Sequence, residues 1–417
     1  MVKKWLLIPA SLLTAGLMMT ACSTETDGTS VAASSSATAE APVDLALVDP
    51  GTYPTEPAAP YGTATTENIL DVEGQRLAEF VTLPFEVDPE LTEVSMPTMV
   101  IRSAKNLDVV LSPGVGTGPA NGKMLYGYVS TASTPVANSQ EVDRALVQMV
   151  LRYSDPAAAA AGAAEMHNAL INNPDPALKE APEKVGTLPN TLISSSGTAD
   201  EVSLNAFTAH GDYVIYTWAS APTAEKDWTS TSVATALKLQ EPLIDKFPAT
   251  PTKEQNGGKS AMPEIDQNDI LIYAVPEEDA DAGLGNDMAV YGPRGMAHRS
   301  TNPALTYDTL TDAGAKHNAQ YKTIVYRAAT PEDAQEISDV FIEDLIKSDG
   351  YAPAPSPPGL PAATCVTKDT TDGTQDYCYV TNGRYVGEAS ALDDRTDLDQ
   401  LISAQYLIFE KADQDAE

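Results

Sequence analysis

By residue type and spacing, the most site-like stretch of this chain is Tyr291-Gly-Pro-Arg-Gly-Met-Ala-His-Arg299. It gathers Tyr291, Arg294, His298 and Arg299 around two glycines in an otherwise acidic protein. Two guanidiniums near one imidazole suit a carboxylate or phosphate, since the planar fork of Arg pairs such groups bidentately. The competing reading is a structural loop whose arginines pair with neighbouring acids. The ligand-binding expectation is that Arg294, His298 and Arg299 line one concave surface, with Tyr291 beside them.

Other candidate chemistry fails on spacing. Gly114-Val-Gly-Thr-Gly-Pro-Ala-Asn-Gly-Lys123 has the glycines of a phosphate loop, but Thr117 and Met124 stand where Gly and Ser or Thr are needed, which leaves a flexible turn. A calcium loop beginning at Asp279 would need Gly and Glu where Leu284 and Val290 occur, so the 277–287 run reads as a solvated acidic loop, with weak Ca2+ binding the lesser alternative. No Gly-x-Ser-x-Gly is present. His167, His210, His298 and His317 are scattered, so no metal site and no cofactor are expected. Trp218 and Trp228 read as packing residues rather than a ligand stack.

Cys22 carries a different chemistry. Lys3 and Lys4, the apolar run Trp5 to Met19 and then Thr20-Ala21-Cys22 follow export-signal logic, with a thiol just after the cleavage point. Such a cysteine accepts a diacylglyceryl group, and the expectation is lipidation of Cys22 with residues 1–21 as a lipoprotein signal peptide; Met19 departs mildly from the usual Leu. Residues 22–44 then read as a disordered Ser/Thr/Ala tether, reaching on the order of 25 Å. Cys365 and Cys378 are the remaining pair, and in an oxidising compartment they are expected to form a disulfide.

The formal charge is −34, from 25 basic and 59 acidic residues, and loss of Lys3 and Lys4 makes it −36. A polyanion gains nothing from counterion release on phosphates, so nucleic acid is excluded as a partner, and an anionic membrane surface should repel the chain except at its lipid.

The elements that must position these residues come in two copies. Val150-Leu-Arg-Tyr-Ser-Asp-Pro156 matches Val325-Tyr-Arg-Ala-Ala-Thr-Pro331 at a shift of 175, which continues to Met166 and Phe341 and to Leu170 and Leu345. Downstream, Leu188-Pro189 matches Leu360-Pro361 and Gly211-x-Tyr213 matches Gly383-x-Tyr385 at a shift of 172. Ordered self-similarity of this kind marks duplication. Each copy reads as a strand, 144–153 or 320–327, a helix entered at Asp155-Pro156 or Thr330-Pro331, three strands in meander, and a closing helix, 227–247 or 397–411. Ile270 to Ala274 is a further strand candidate, Gly74 to Phe80 a helix, and Asn302-Pro303 starts a helix that Gly314 ends. The fold class is therefore α+β: two tandem related domains, 45–250 and 262–417, each an antiparallel sheet covered on one side by helices, divided at the polar stretch 248–259. The second shift equates Cys365 with Ile193 and Cys378 with Ala206, which should touch across neighbouring strands.

The opening Val48-Asp-Pro-Gly-Thr-Tyr-Pro-Thr55, Leu83-Pro-Phe-Glu-Val-Asp-Pro89, the Tyr291 to Arg299 loop and Val325-Tyr-Arg327 together resemble an uncharacterised family of actinobacterial lipoproteins. The resemblance implies a lipid-anchored envelope protein of two related domains and transfers no catalytic residue. The expectation is a non-enzymatic binding or scaffold protein, extracytoplasmic at the outer face of the cell membrane, held there through Cys22, with an envelope protein or small anionic ligand as partner. The alternatives are a transporter's solute-binding lipoprotein, which one deep cleft between the halves would favour, and an envelope hydrolase, which would place Ser or Asp with His in one pocket.

Overall fold

A computed structural model describes residues 42–135, 144–277 and 288–416. Cys22, residues 23–41 of the tether and the acidic run 278–287 lie outside the described residues. The last tether residues are ordered, contrary to the expectation for 22–44, with Val43 on the second half's core and the Asp44 N–H donating to the Gly359 carbonyl at 2.8 Å. The first half contains α1 (Ile69–Ala78), α2 (Pro84–Val87), β1 (Glu93–Ile101), β2 (Met124–Ser133), β3 (Ala145–Tyr153), α3 (Pro156–Ile171), β4 (Ala181–Glu183), β5 (Leu192–Gly197), β6 (Glu201–His210), β7 (Tyr213–Pro222) and α4 (Lys226–Ile244). The second contains β8 (Ala289–Tyr291), α5 (Pro293–Ala297), α6 (Pro303–Asp312), β9 (Asn318–Gln320), β10 (Ile324–Arg327), α7 (Pro331–Lys347), β11 (Ala352–Ala354), β12 (Ala363–Asp369), β13 (Thr374–Asn382), β14 (Tyr385–Leu392) and α8 (Arg395–Phe409).

Each half builds a seven-stranded sheet, and the two orders are the same: β1-β2-β3-β7-β6-β5-β4 in the first and β8-β9-β10-β14-β13-β12-β11 in the second. All described pairings are antiparallel, so the class is α+β with a duplicated topology. Register preserves the repeat to the residue. Arg152 faces Tyr213 as Arg327 faces Tyr385, although the two strands of each pair carry shifts of 175 and 172. Ile193 pairs with Ala206 where Cys365 pairs with Cys378, and those two cysteines are disulfide-bonded. All four are buried.

Local chemistry sets the ends of these elements. Asp155 accepts from the Ala158 N–H at 2.8 Å and Thr330 from the Asp333 N–H at 3.1 Å, and each cap precedes Pro at the first helical turn. The β6–β7 and β13–β14 hairpins close on two residues, with Gly211 (φ 55°) and Gly383 (φ 56°) first in the loop, where only glycine takes a positive φ without cost.

Four expectations need correction. The sheets are covered on both faces. In the first half Met149, Leu151 and Phe207 pack under α3, while Leu146, Leu204, Ala206 and Ala219 pack against Val233 of α4. In the second, Tyr326, Tyr379 and Phe341 of α7 share one face, while Val325, Cys365, Cys378 and Val380 share the other with Leu398, Leu401 and Ile402 of α8. Ile270 to Ala274 is a 3-10 turn, because the Asp266 carboxylate collects the N–H groups of Ile270, Leu271 and Ile272 at 2.8–3.0 Å. The meander has a fourth, three-residue edge strand in each half, β4 or β11, and Gln320–Arg327 is a hairpin, β9 to β10, rather than one strand.

The halves are not separated by a cleft. Residues 41–417 form one compact unit, and one apolar core runs from Leu77, Tyr128, Val150 and Ile215 to Tyr291, Met296, Tyr326 and Phe341. The opening segment crosses over: Val48 and Tyr53 pack on the second half's core, and the Tyr53 hydroxyl donates to Asp397 at 2.6 Å.

Candidate functional site

The Tyr291 to Arg299 loop is where the halves join, and that use consumes most of it. Tyr291 is buried on β8. Gly292 lies against the Glu79 carboxylate so closely that a Cβ would come within 2.4 Å of Oε2, and Glu79 accepts from the Gly295 N–H at 3.0 Å. Burial pushes the Glu79 carboxyl up to about 7. Arg294, also buried, donates to Glu86, donates to the Tyr307 hydroxyl at 3.3 Å and sits 4.8 Å over the Tyr307 ring. His298 is fully buried. Its Nε2 lies 3.1 and 3.2 Å from the Ala78 and Val81 carbonyls and its Nδ1 2.8 Å from the Ser130 hydroxyl, so Nε2–H donates and Nδ1 accepts. Desolvation, with Arg294 nearby, pulls its pKa down to about 3 and keeps it neutral.

The four residues therefore do not converge on a ligand, which corrects the expectation drawn from their spacing. A paired arginine and a neutral core histidine cannot hold an anion between them. Arg299 alone reaches a cavity, with its Nε donating to Gln320 at 3.1 Å.

That cavity, about 450 Å3, lies between α7, α6 and the face of the second sheet. Its floor holds the tyrosines of β10 and β13. Tyr326 donates to Glu388 at 2.8 Å, and burial raises the Glu388 carboxyl while Tyr326 and Tyr379 oppose that by hydrogen bonding. Phe341 packs edge-on against Tyr326 and Tyr377 edge-on against Tyr351, giving an aromatic wall. Lys368 of β12 sits 5.3 Å over the Tyr351 ring and donates to the Asp349 carbonyl. Arg299 and Lys368 have no carboxylate ion-pair partner among the described residues, unlike Arg76, Arg102, Arg144, Arg294 and Arg395.

A second cavity, about 480 Å3, occupies the equivalent place in the first half, beside the end of α3. Four of its lining positions are repeat partners of positions lining the other: Leu170 with Leu345, Ser196 with Lys368, Asn205 with Tyr377 and Tyr216 with Glu388. Duplication thus produced two equivalent hollows, and three of these four positions have changed chemistry.

The remaining motifs settle into structure. The glycine-rich segment 114–123 forms 3-10 turns, and Glu165 accepts from the Ala120 and Asn121 N–H groups at 2.8 and 3.3 Å, which occupies the donors a phosphate would need. Trp228 donates to Asp88 at 2.7 Å, whereas Trp218 lines the first-half cavity. Among the described residues no cluster of His, Cys, Asp and Glu could hold a metal ion, and no helix is long and apolar enough to cross a membrane.

Comparison with known proteins adds the family. Residues 60–260 match the N-terminal domain, and residues 270–412 the C-terminal domain, of a family described as a domain of unknown function, DUF7373. The chain belongs to the DUF7373 family. Each matched span carries one of the duplicated sheets and one of the two cavities. No curated protein matches the sequence. One similar solved structure is the extracellular domain of PknH from Mycobacterium tuberculosis, 13% identical with a TM-score of 0.26, covering 42% of this chain and 97% of that one; so slight a likeness carries no argument.

Sequence reasoning missed Lys368, Tyr377 and Glu388. The signal was available in the repeat itself: at the shift of 172, Glu388 is a carboxylate at a strand position where the other copy has a buried tyrosine.

Proposed function

We propose that this DUF7373 protein is an exported, lipid-anchored binding protein without enzymatic activity, which takes a small anionic ligand with an aromatic or acyl part in the cavity under α7. The observation that carries the reading is the pair Arg299 and Lys368, cations without ion pairs lining one aromatic-walled hollow in a chain of formal charge −34. Their present partners, the Gln320 amide for Arg299 and the Asp349 carbonyl and Tyr351 ring for Lys368, are uncharged groups, so an anion placed there gains charge-assisted hydrogen bonds. The volume of about 450 Å3 is within the usual range of small-molecule sites.

Export and anchoring rest on the segment ending at Cys22, and the Cys365–Cys378 bond supports an oxidising, extracytoplasmic location at the outer face of the cell membrane. Contact with the membrane is through the lipid on Cys22 alone, and the charge disfavours nucleic acid. Phenyl phosphate and benzoate should raise the melting temperature of the mature chain, by about 2.7 kcal/mol of stabilisation at a hundredfold excess over Kd, and Lys368→Met should abolish the rise. No shift with either probe contradicts the ligand class. Cys22→Ser should move the protein from the membrane pellet to a soluble exported fraction; retention in the pellet after a carbonate wash contradicts the anchor.

A further inference from the structure

We infer that the first-half cavity is a second, independent binding site, and that its ligand is a neutral saccharide. It occupies the same place under α3 that the anion cavity occupies under α7, but its lining has no Lys, Arg or His. Ser196 stands where Lys368 stands in the other copy. Glu180 and Glu201 line it with no cation beside them, whereas in the second-half cavity Arg299 and Lys368 stand beside Asp344, Asp349 and Glu388, so a small anion finds no counter-charge in the first-half cavity.

The polar groups present both donate and accept. Tyr216 donates to the Asn205 carbonyl oxygen at 2.6 Å, and Asn205 in turn donates to Glu180 at 2.9 Å, which fixes the amide and one carboxylate oxygen in place. The Ser196 and Ser203 hydroxyls are 2.9 Å apart. Trp218 has no hydrogen-bond partner for its indole N–H among the described residues, and its ring, half-buried, forms part of the wall. A pyranose meets all of these demands together. Its hydroxyls donate to carboxylates and accept from indole, amide and serine donors, while its C–H face lies against the indole ring. A simple cation would use the carboxylates and leave the Trp218 indole N–H unspent. The site stands whether or not the second half binds an anion.

Trp218 and Trp228 are the tryptophans of the chain beyond the export segment, and Trp228 is held elsewhere by Asp88, so a Trp228→Phe variant makes intrinsic fluorescence a reporter of this cavity. Glucose, galactose, N-acetylglucosamine and maltose are titrated in turn. At least one should shift Trp218 emission saturably, with a Kd at or below about 1 mM. Ser196→Lys, which installs the other copy's side chain at a solvent-exposed position, should weaken that binding at least about tenfold, which is 1.4 kcal/mol, and leave the phenyl phosphate response unchanged. Lys368→Met should do the reverse, so failure of one site is read separately from failure of the other. If Trp228→Phe does not fold, the same titration runs on the unaltered chain with Trp218→Phe as its blank. The inference is overturned if none of the four sugars shifts Trp218, or if Ser196→Lys binds sugar with unchanged Kd.

Discussion

Replacing the second-half disulfide by its first-half counterpart, Cys365→Ile with Cys378→Ala, tests the duplication where its chemistry differs most. The structure places Ile193 opposite Ala206 in the register that the cysteines occupy, each pair buried beneath its closing helix. The bond joins residues 13 apart, and closing a loop of about that length in the unfolded chain corresponds to about 3 kcal/mol of stabilisation. Both the Ile/Ala variant and a Cys365→Ala, Cys378→Ala variant lose that amount. The Ala/Ala variant also loses the buried sulfurs and leaves a void, for a further cost of about 1–2 kcal/mol. Ile at 365 fills the void as it does at 193, so urea unfolding should rank the bridged chain first, the Ile/Ala variant about 3 kcal/mol below it and level with the dithiothreitol-reduced protein, and Ala/Ala lowest. An Ile/Ala variant less stable than Ala/Ala would mean that the two neighbourhoods are not equivalent, and the shared-fold reasoning would be wrong.

The joint between the halves gives further predictions. His298 titrates at about 3 when folded against 6.5 when unfolded, so the unfolded state binds its proton first and stability falls as pH drops from 6.5 towards 3, by about 5 kcal/mol in all; His298→Gln should flatten that limb of a pH–stability profile. Glu79 works in the opposite sense: its folded carboxyl is held up to about 7, so its contribution is full below 4.5 and lost as pH rises through 7, and Glu79→Gln should remove that dependence in the same measurement. Gly292→Ala, whose methyl would meet Glu79, should cost about 1–3 kcal/mol in chemical denaturation and be relieved by adding Glu79→Ala.

The fold was legible wherever local chemistry and self-similarity agreed. Asp155-Pro156 and Thr330-Pro331 marked the helix starts, and the constant shifts carried the register to the Cys365–Cys378 and Ile193–Ala206 pairs. Double coverage of the sheets was written in β3, where successive rather than alternate positions from Leu146 to Tyr153 are buried, as a strand packed on both faces requires. The opening parts of the two halves did not align because β8 and β9 are three residues each where β1 and β2 have nine and ten, with α5 and α6 between β8 and β9 in place of 3-10 turns. The site was less legible. Clustering of Arg294, His298 and Arg299 suggested convergence, but on α5 and the turn that follows it these side chains go to different neighbours, and two meet the first half of the chain, to which spacing within the loop gave no clue. Lys368 and Glu388 come from distant strands and are joined to Arg299 only by the sheet.

Isothermal titration of phenyl phosphate into the mature protein and into an Arg299→Gln, Lys368→Met variant tests the anion-binding account most directly. A saturable heat with one site per chain, weakening as salt is raised and absent from a variant that unfolds at the same urea concentration, is the predicted result. Binding of equal strength in both proteins, or no binding to the unaltered chain, would contradict it.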